Sequence, residues 1–148
     1  MNSLNKKQYA LIKCMERVKI FSGLSPTDIL FILKVARTKS YGVGEFVYRV
    51  GEKGDEMLVL LNGSLAVVVA TGQKVAEIKA GTCVGEMALF TGEPRSASIV
   101  AEVPSTGLTL TRSSIRLALK SMPNAYSGIL ENVIVVLSER LAEANSRV

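Results

Sequence analysis

The sequence predicts a mainly β fold with flanking helices: an antiparallel β-roll, also called a jelly roll or double-stranded β-helix, between N-terminal and C-terminal helices. Short apolar runs alternate with glycine-containing turns from residue 38 to residue 111, which is typical of a roll or barrel. Apolar residues at helical spacing occupy the segments on both sides. The 148 residues fit one domain, which we divide into helices (1–37), β-roll (38–111) and C-terminal helices (112–148).

Two helices are expected before the roll. The first spans Leu4 to Val18, where apolar side chains recur at near-helical spacing. The segment FSGLSP interrupts this pattern, and Ser25 followed by Pro26 starts a second helix. Serine caps helix N-termini and proline suits the first helical position, so the start is well marked. We expect this second helix to run to about Arg37.

Turn signals divide the central region into short strands. Asn62-Gly63 lies between two apolar runs and predicts a tight hairpin, because both central residues of the favoured two-residue turn need a positive φ. Thr71-Gly72 and Ala80-Gly81 predict two further turns. Strands are also expected over Arg95 to Val103 and over Gly107 to Thr111, with a proline between them as the break.

Helical periodicity returns after the last strand. Ser113 or Ser114 can cap a helix that continues to Lys120. Pro123 precedes a longer helix, roughly Ala125 to Ala144, which carries an apolar stripe. The stripe consists of Ile129, Leu130, Val133, Ile134, Leu137 and Leu141. Because an amphipathic last helix often pairs with another helix, a homodimer is one expectation.

Composition excludes several classes of function. The net charge is +5, from 18 basic and 13 acidic residues, and the excess is scattered apart from a basic N-terminal segment. We interpret that segment as a solvated helix face and expect no nucleic-acid binding. The chain has no histidine, so it lacks the usual general base and the commonest metal ligand. Metal-dependent jelly-roll enzymes are therefore excluded, and we expect a non-enzyme with no catalytic residue, metal or cofactor.

Cysteine usage and hydropathy predict a cytoplasmic, soluble protein. Cys14 and Cys83 lie far apart in sequence and show no metal-ligand spacing, so we expect free thiols in a reducing compartment. The first residues contain no apolar signal-peptide core. The longest apolar run, MLVLLNGSLAVVVA, is too short and too interrupted to span a membrane.

The stretch GEMALFTGEPRSASI, from Gly85 to Ile99, places Glu86 and Arg95 among small and apolar residues. A glycine and a proline separate them, so they cannot be a simple helix pair. One helical turn at EMALF would aim backbone N–H groups at an anion, and Gly85 would let the backbone approach a ligand. Arginine stays charged beside a phosphate, and Glu86 can accept hydrogen bonds from sugar hydroxyls. The arrangement predicts a ribose phosphate site; the alternative is that Glu86 and Arg95 pair across a turn.

VGEMALFTGEPRSASI resembles the phosphate-binding cassette of the cyclic nucleotide-binding domain family, which reads Gly-Glu-x-Ala-Leu, a short loop, then Pro-Arg-(Ser/Thr/Ala)-Ala. GEFVYRVGEKGDEMLVLLNGSLAV resembles the strand–turn–strand region of that family. FSGLSPTDI and LTRSSIRLALKSMP resemble its helices before and after the roll. The resemblance covers roughly Phe21 to Leu141.

The resemblance implies a role for individual residues. Glu86 would bind the ribose 2′-hydroxyl, and Arg95 would pair with the cyclic phosphate. Threonine after the cassette arginine often accompanies cGMP selectivity, so Ser96 implies cAMP with cGMP less favoured. The implied ligand-binding residues are Gly85, Glu86, Met87, Ala88, Arg95, Ser96 and Ala97. The implied pocket wall is Val67, Val75, Ala76, Val84 and Asn145, although the apolar members can equally be plain core and Asn145 a frayed terminus.

The family resemblance implies a regulatory sensor in which the C-terminal helix rearranges when the ligand binds. The chain contains no room for an output domain, so its partner would be an unidentified effector protein or a domain of a longer chain. The initiating Met1 favours a stand-alone sensor that signals to a partner protein over a domain of a longer chain. The alternative function is a degenerate domain of the same family that serves as an interaction or dimerisation module without ligand.

Overall fold

The computed structural model describes residues 5–147, so the predicted first helical residue, Leu4, and the terminal Val148 lie outside the described range. In chain order the elements are α1 (Lys6–Glu16), a 3-10 turn (Lys19–Phe21), α2 (Pro26–Leu33), β1 (Arg37–Tyr41), β2 (Phe46–Tyr48), β3 (Glu56–Asn62), β4 (Ser64–Val68), β5 (Lys74–Lys79), β6 (Cys83–Val84), α3 (Ala88–Thr91), β7 (Ser98–Ala101), β8 (Ser105–Thr111), α4 (Arg112–Lys120) and α5 (Pro123–Ser146).

The strands form two four-stranded antiparallel sheets, in the orders β1-β8-β3-β6 and β2-β7-β4-β5. Buried side chains from both sheets meet between them, including Tyr48, Leu58, Leu65 and Ile99. Helices pack on the other side of the first sheet and share a second core with it. The predicted mainly β roll with helices at both ends is confirmed.

The connection at Asn62-Gly63 differs from the predicted hairpin. β3 and β4 belong to different sheets and do not pair, and no residue other than glycine in the described part of the chain has a positive φ. Gly63 has a φ of 102°, and a Cβ there would lie 2.2 Å from Ser105 Oγ. The hairpin prediction is wrong because glycine is needed here for a corner between sheets, where the backbone passes close to β8.

The predicted turn at Thr71-Gly72 is confirmed, and it closes the hairpin of β4 and β5. Val69 N–H donates to Gln73 O at 3.0 Å, and Gly72 adopts a φ of 91°. This hairpin places Val67 directly opposite Ala76. Directly opposed residues of an antiparallel pair share one face of the sheet, which matters for the site described below.

The helix boundaries follow local capping chemistry. Ser25 Oγ accepts a hydrogen bond from Asp28 N–H at 3.1 Å, which confirms the predicted start of α2. α2 ends at Leu33, so its predicted extension to Arg37 is wrong: Arg37 already pairs with Thr109 in the β1–β8 ladder. Thr111, the last residue of β8, caps α4 in place of the predicted serines, because its extended backbone suits an N-cap.

The stripe on α5 is buried only in its first part. Ile129 and Val133 are in the core, next to the 3-10 turn, whereas Ile134 and Leu141 are 65% and 63% exposed. Asn132 Nδ2 donates to the carbonyl oxygens of Ile20 and Ser22 at 3.1 and 2.8 Å. The first half of α5 is therefore fixed to the 3-10 turn and the residue after it, while the side chains of its later turns are mostly exposed.

Candidate functional site

A cavity of about 220 Å³ opens at the cassette, between the two sheets and α5. Six elements or loops supply its walls: β2, β4, the segment from β6 into α3, the loop before β7, β7 itself, and α5. The lining residues are Tyr48, Val67, Val84, Gly85, Glu86, Met87, Ala88, Glu93, Pro94, Arg95, Ser96, Ala97, Ile99 and Arg140. The cavity thus brings together all seven residues of the predicted ligand-binding set.

Two groups contact the guanidinium of Arg95, and two hydrogen bonds hold its backbone. Its Nη2 donates to Glu56 O at 2.5 Å. Its guanidinium carbon lies 3.6 Å from the centroid of the Tyr48 ring, which is cation–π geometry. Its backbone N–H donates to Glu52 O at 2.8 Å, and its carbonyl accepts from Gly51 N–H at the same distance. These contacts leave the side chain a fixed cation at the cavity wall.

Gly85 is required beside this arginine. It has a φ of 79°, and a Cβ there would lie 2.5 Å from Arg95 Nη1. The sequence predicts that Gly85 lets the backbone approach a ligand. In the structure the space beside Gly85 is filled by the guanidinium, so glycine admits the cation that faces the cavity.

Glu86 is half-buried, and its carboxylate has no hydrogen-bond or salt-bridge partner among residues 5–147. The alternative that Glu86 and Arg95 pair across a turn is therefore wrong: Arg95 is engaged by Glu56 O and Tyr48. A carboxylate of this kind can accept hydrogen bonds from hydroxyl groups of a bound molecule.

The predicted helical turn at EMALF is confirmed as α3. Its side chains Ala88 and Leu89 are buried, and Gly92 ends it in the left-handed conformation with a φ of 68°. In the hydrogen-bond network of residues 5–147, the backbone N–H groups of Ala88, Ser96 and Ala97 have no backbone acceptor. All three residues line the cavity.

The predicted pocket wall is brought together only in part. Val67 and Val84 line the cavity. Val75 and Ala76 are exposed on β5 and do not line it, although Ala76 is the register partner of Val67. Asn145 is exposed in the last turns of α5 and is not at the cavity either.

The predicted site omits several lining residues, among them Tyr48 outside the cassette and Ile99 at its end. Tyr48 and Ile99 reach the cavity because β2 and β7 pair in that register, which no local pattern reveals. Arg140 reaches it from α5, where its Nη1 lies 3.2 Å from Glu93 Oε1. The family resemblance already implies this position, because the spacing along the last helix puts Arg140 in the neighbourhood of the base.

Burial raises the pKa of the Tyr48 phenol well above its ordinary value, although the Arg95 guanidinium opposes this shift. The ring therefore stays neutral at any physiological pH, and its π face remains available to the guanidinium.

Within residues 5–147, no helix has the length and apolar character needed to cross a membrane.

A profile of the cyclic nucleotide-binding domain family matches residues 38–121. A cyclic nucleotide-gated potassium channel of Mesorhizobium japonicum is 35% identical over 106 residues, covering 72% of this chain and 29% of the channel. Glutaminase 1 of Bradyrhizobium diazoefficiens is 26% identical over 129 residues, covering 87% of this chain and 21% of the glutaminase. This chain therefore spans only a minor part of either relative.

Among solved structures, a cyclic nucleotide-binding domain from Methylobacillus flagellatus is similar over 97% of this chain and 83% of that chain. The TM-score is 0.73 and the sequence identity is 26%. Similarity over nearly the whole chain includes the helices at both ends as well as the roll.

Proposed function

This chain belongs to the cyclic nucleotide-binding domain family, and on that premise we propose that it binds a cyclic nucleotide, cAMP in preference to cGMP, in the cavity that Glu86 and Arg95 line. One observation carries the proposal. The cavity holds a fixed guanidinium and a carboxylate that do not pair with each other. Two opposite charges left apart in one small cavity suit a ligand that is itself bifunctional, with an anionic group and hydroxyl groups.

The phosphate would lie between Arg95 and the start of α3. A guanidinium has five N–H donors, and Glu56 O occupies only part of that fork. The N–H groups of Ala88, Ser96 and Ala97, which line the cavity and have no backbone acceptor within residues 5–147, would supply further donors. Charge-assisted hydrogen bonds from several fixed donors are the arrangement that binds a phosphate monoanion.

The sugar and base would occupy the rest of the cavity. Glu86 would accept from the ribose 2′-hydroxyl, because it has no protein partner within residues 5–147. The purine would lie on Val67 and Val84, with Ala76 as the next residue on the same face of the sheet. The preference for cAMP rests on Ser96, since family members selective for cGMP often have threonine at this place in the cassette.

The bound state would be transmitted through α5. Arg140 of this helix contacts Glu93 of the cassette loop and lines the cavity, so a ligand that moves the loop changes a contact of α5. We propose that the later turns of α5 then repack against the roll, an effector protein, an output domain or a second copy of the chain. Their exposed residues, Ile134 and Leu141 among them, are free for such packing.

The proposed role is regulatory, without catalysis in this chain. The potassium channel and the glutaminase show similar sequence within much longer proteins, which supports an effector or output domain as the recipient of the signal. The proposed location is the cytoplasm. Two free thiols support that location, since disulfides persist mainly in oxidising compartments.

Isothermal titration of the purified protein with cAMP and with cGMP tests the proposal. We expect saturable binding of one ligand per chain, tighter for cAMP. Arg95→Ala should raise the Kd about thirtyfold or more, whereas the matched control Arg116→Ala, an exposed arginine of α4 outside the cavity, should bind as the unmodified protein does. Absence of heat with both nucleotides at millimolar concentration would favour the interaction module that binds no ligand.

A further inference from the structure

The two cysteines of the chain meet in the folded protein. Cys14 in α1 and Cys83 in β6 are 69 positions apart, yet their Sγ atoms lie 3.8 Å from each other. Cys14 Sγ also donates a hydrogen bond to Gly81 O at 2.9 Å. The two thiols and this carbonyl therefore form a hydrogen-bonded series, from Cys83 to Cys14 to Gly81 O. The sequence predicts two unrelated free thiols; the structure confirms that they are free and makes them neighbours.

A second cavity gives small molecules a path to both sulfur atoms. It has a volume of about 380 Å³ and is lined by Cys14, Cys83, Arg17, Glu86 and Arg140 among others. Cys14 itself is buried and Cys83 is half-buried, so large oxidants are excluded. Hydrogen peroxide, which is little larger than water, can enter a cavity of this size.

The environment distinguishes the two thiols. A hydrogen bond from the Cys83 thiol lowers the pKa of Cys14 to about 7, and the nearby Arg17 adds to this against the effect of burial. The same hydrogen bond, together with burial, raises the pKa of Cys83. Cys14 is therefore the thiol of the pair that ionises more readily, giving up its hydrogen bond to Gly81 O when it does, and the thiolate is the reactive form.

We propose that Cys14 and Cys83 are a reversible redox pair, which hydrogen peroxide converts into a disulfide that ties α1 to β6 beside the cassette. In the first step the Cys14 thiolate attacks one peroxide oxygen, the O–O bond breaks, and hydroxide leaves to give a Cys14 sulfenic acid. In the second, the Cys83 sulfur attacks Cys14 Sγ, the S–O bond breaks, and water leaves with the thiol proton. Both sulfur atoms are oxidised, and the hydroxide takes up the proton that Cys14 lost on ionisation, so the peroxide is reduced to two molecules of water.

The geometry requires only a small movement. A disulfide bond is about 2.0 Å long, so the sulfur atoms must approach by roughly 1.8 Å from their present 3.8 Å. Rotation about χ1 moves each Sγ without moving its backbone. The bond would close a loop of 69 positions and restrict the unfolded chain, so the oxidised protein should unfold at a higher temperature than the reduced protein.

The experiment treats the reduced full chain with hydrogen peroxide, removes the excess, and measures intact mass and Tm without ligand. We expect a monomer that has lost two hydrogen atoms, has a raised Tm, and returns to the starting values with dithiothreitol. The chain has only two cysteines, so an intramolecular disulfide in a monomer identifies this pair. Cys83→Ser should instead gain one oxygen atom on Cys14 and show no rise in Tm, and Cys14→Ser should form no monomeric disulfide.

Three results would overturn the proposal: oxygen addition to both cysteines of the unmodified chain, disulfide-linked dimers as the main product, or a disulfide that lowers Tm. Every readout is independent of cyclic nucleotides. Failure here therefore leaves the proposed binding function untouched, and failure of nucleotide binding leaves the redox pair untouched.

Discussion

The ring of Tyr48 lies beneath the guanidinium of Arg95, with 3.6 Å between the guanidinium carbon and the ring centroid. Both side chains also reach one acceptor, Glu56 O, at 3.4 Å from Tyr48 Oη and 2.5 Å from Arg95 Nη2. Tyr48 lies on β2 and Arg95 precedes β7, which is the strand paired with β2. The sheet therefore supplies a platform that sets the direction of the only arginine of the cassette.

Replacing the ring of Tyr48 should weaken nucleotide binding. Tyr48→Leu removes the cation–π contact, which is worth about 0.5–2 kcal/mol, so we expect the Kd for cAMP to rise by a factor of two to about thirty. Tyr48→Phe keeps the ring and loses only the long bond to Glu56 O, so its Kd should stay close to that of the unmodified protein. Fluorescence competition measures both, and equal Kd values for the two variants would show that the ring does not position Arg95.

Arg95 and Glu86 should differ in their importance for nucleotide binding. Arg95→Ala leaves a phosphate without its counter-charge, which costs about 2–5 kcal/mol of binding free energy. Glu86→Ala removes one acceptor for a hydroxyl and should cost about 1–3 kcal/mol. Arg95→Lys should recover part of the loss, because an ammonium cannot reproduce the planar fork that faces both Glu56 O and the cavity. Calorimetric titration of the three variants checks the order, and near-normal binding by both alanine variants would move the site elsewhere.

Gly85→Ala should reduce both stability and affinity. The positive φ costs about 1–2 kcal/mol for any L side chain, and the new Cβ would displace the guanidinium of Arg95. Gly72→Ala is the matched control, since Gly72 also has a positive φ but has no atom within 4 Å of the Cβ position. Thermal unfolding should show losses in both variants, whereas nucleotide titration should show a loss only in Gly85→Ala.

The last helix should report on ligand binding. If α5 repacks when the cassette closes, amide exchange in Ile129 to Leu141 should differ between the free and the cAMP-bound protein. Arg140→Ala should reduce that difference, because it removes the contact of α5 with Glu93. Its effect on Tm should be small, since half-exposed ion pairs contribute about 0–1 kcal/mol. If ligand binding altered amide exchange only in residues 85–98, the domain would bind the nucleotide without transmitting the bound state through α5.

Local chemistry could be predicted from the sequence, and long-range pairing could not. Ser25 before Pro26 marks the start of α2, and the cassette residues lie together at one cavity, because these signals depend on adjacent residues. The hairpin prediction at Asn62-Gly63 is wrong because a hairpin and a corner between sheets both need glycine. Only the order of the strands in the sheets distinguishes the two. Tyr48 beneath Arg95 and Cys14 against Cys83 required the register of strands and the docking of α1, which no local pattern contains.

A crystal structure of the protein grown with saturating cAMP tests the central claim most directly. The account predicts the cyclic phosphate within hydrogen-bonding distance of the Arg95 guanidinium, and the ribose 2′-hydroxyl within the same reach of the Glu86 carboxylate. The purine should lie on the side of Val67 and Val84. A phosphate bound away from Arg95, or an empty cavity under saturating ligand, would contradict the account.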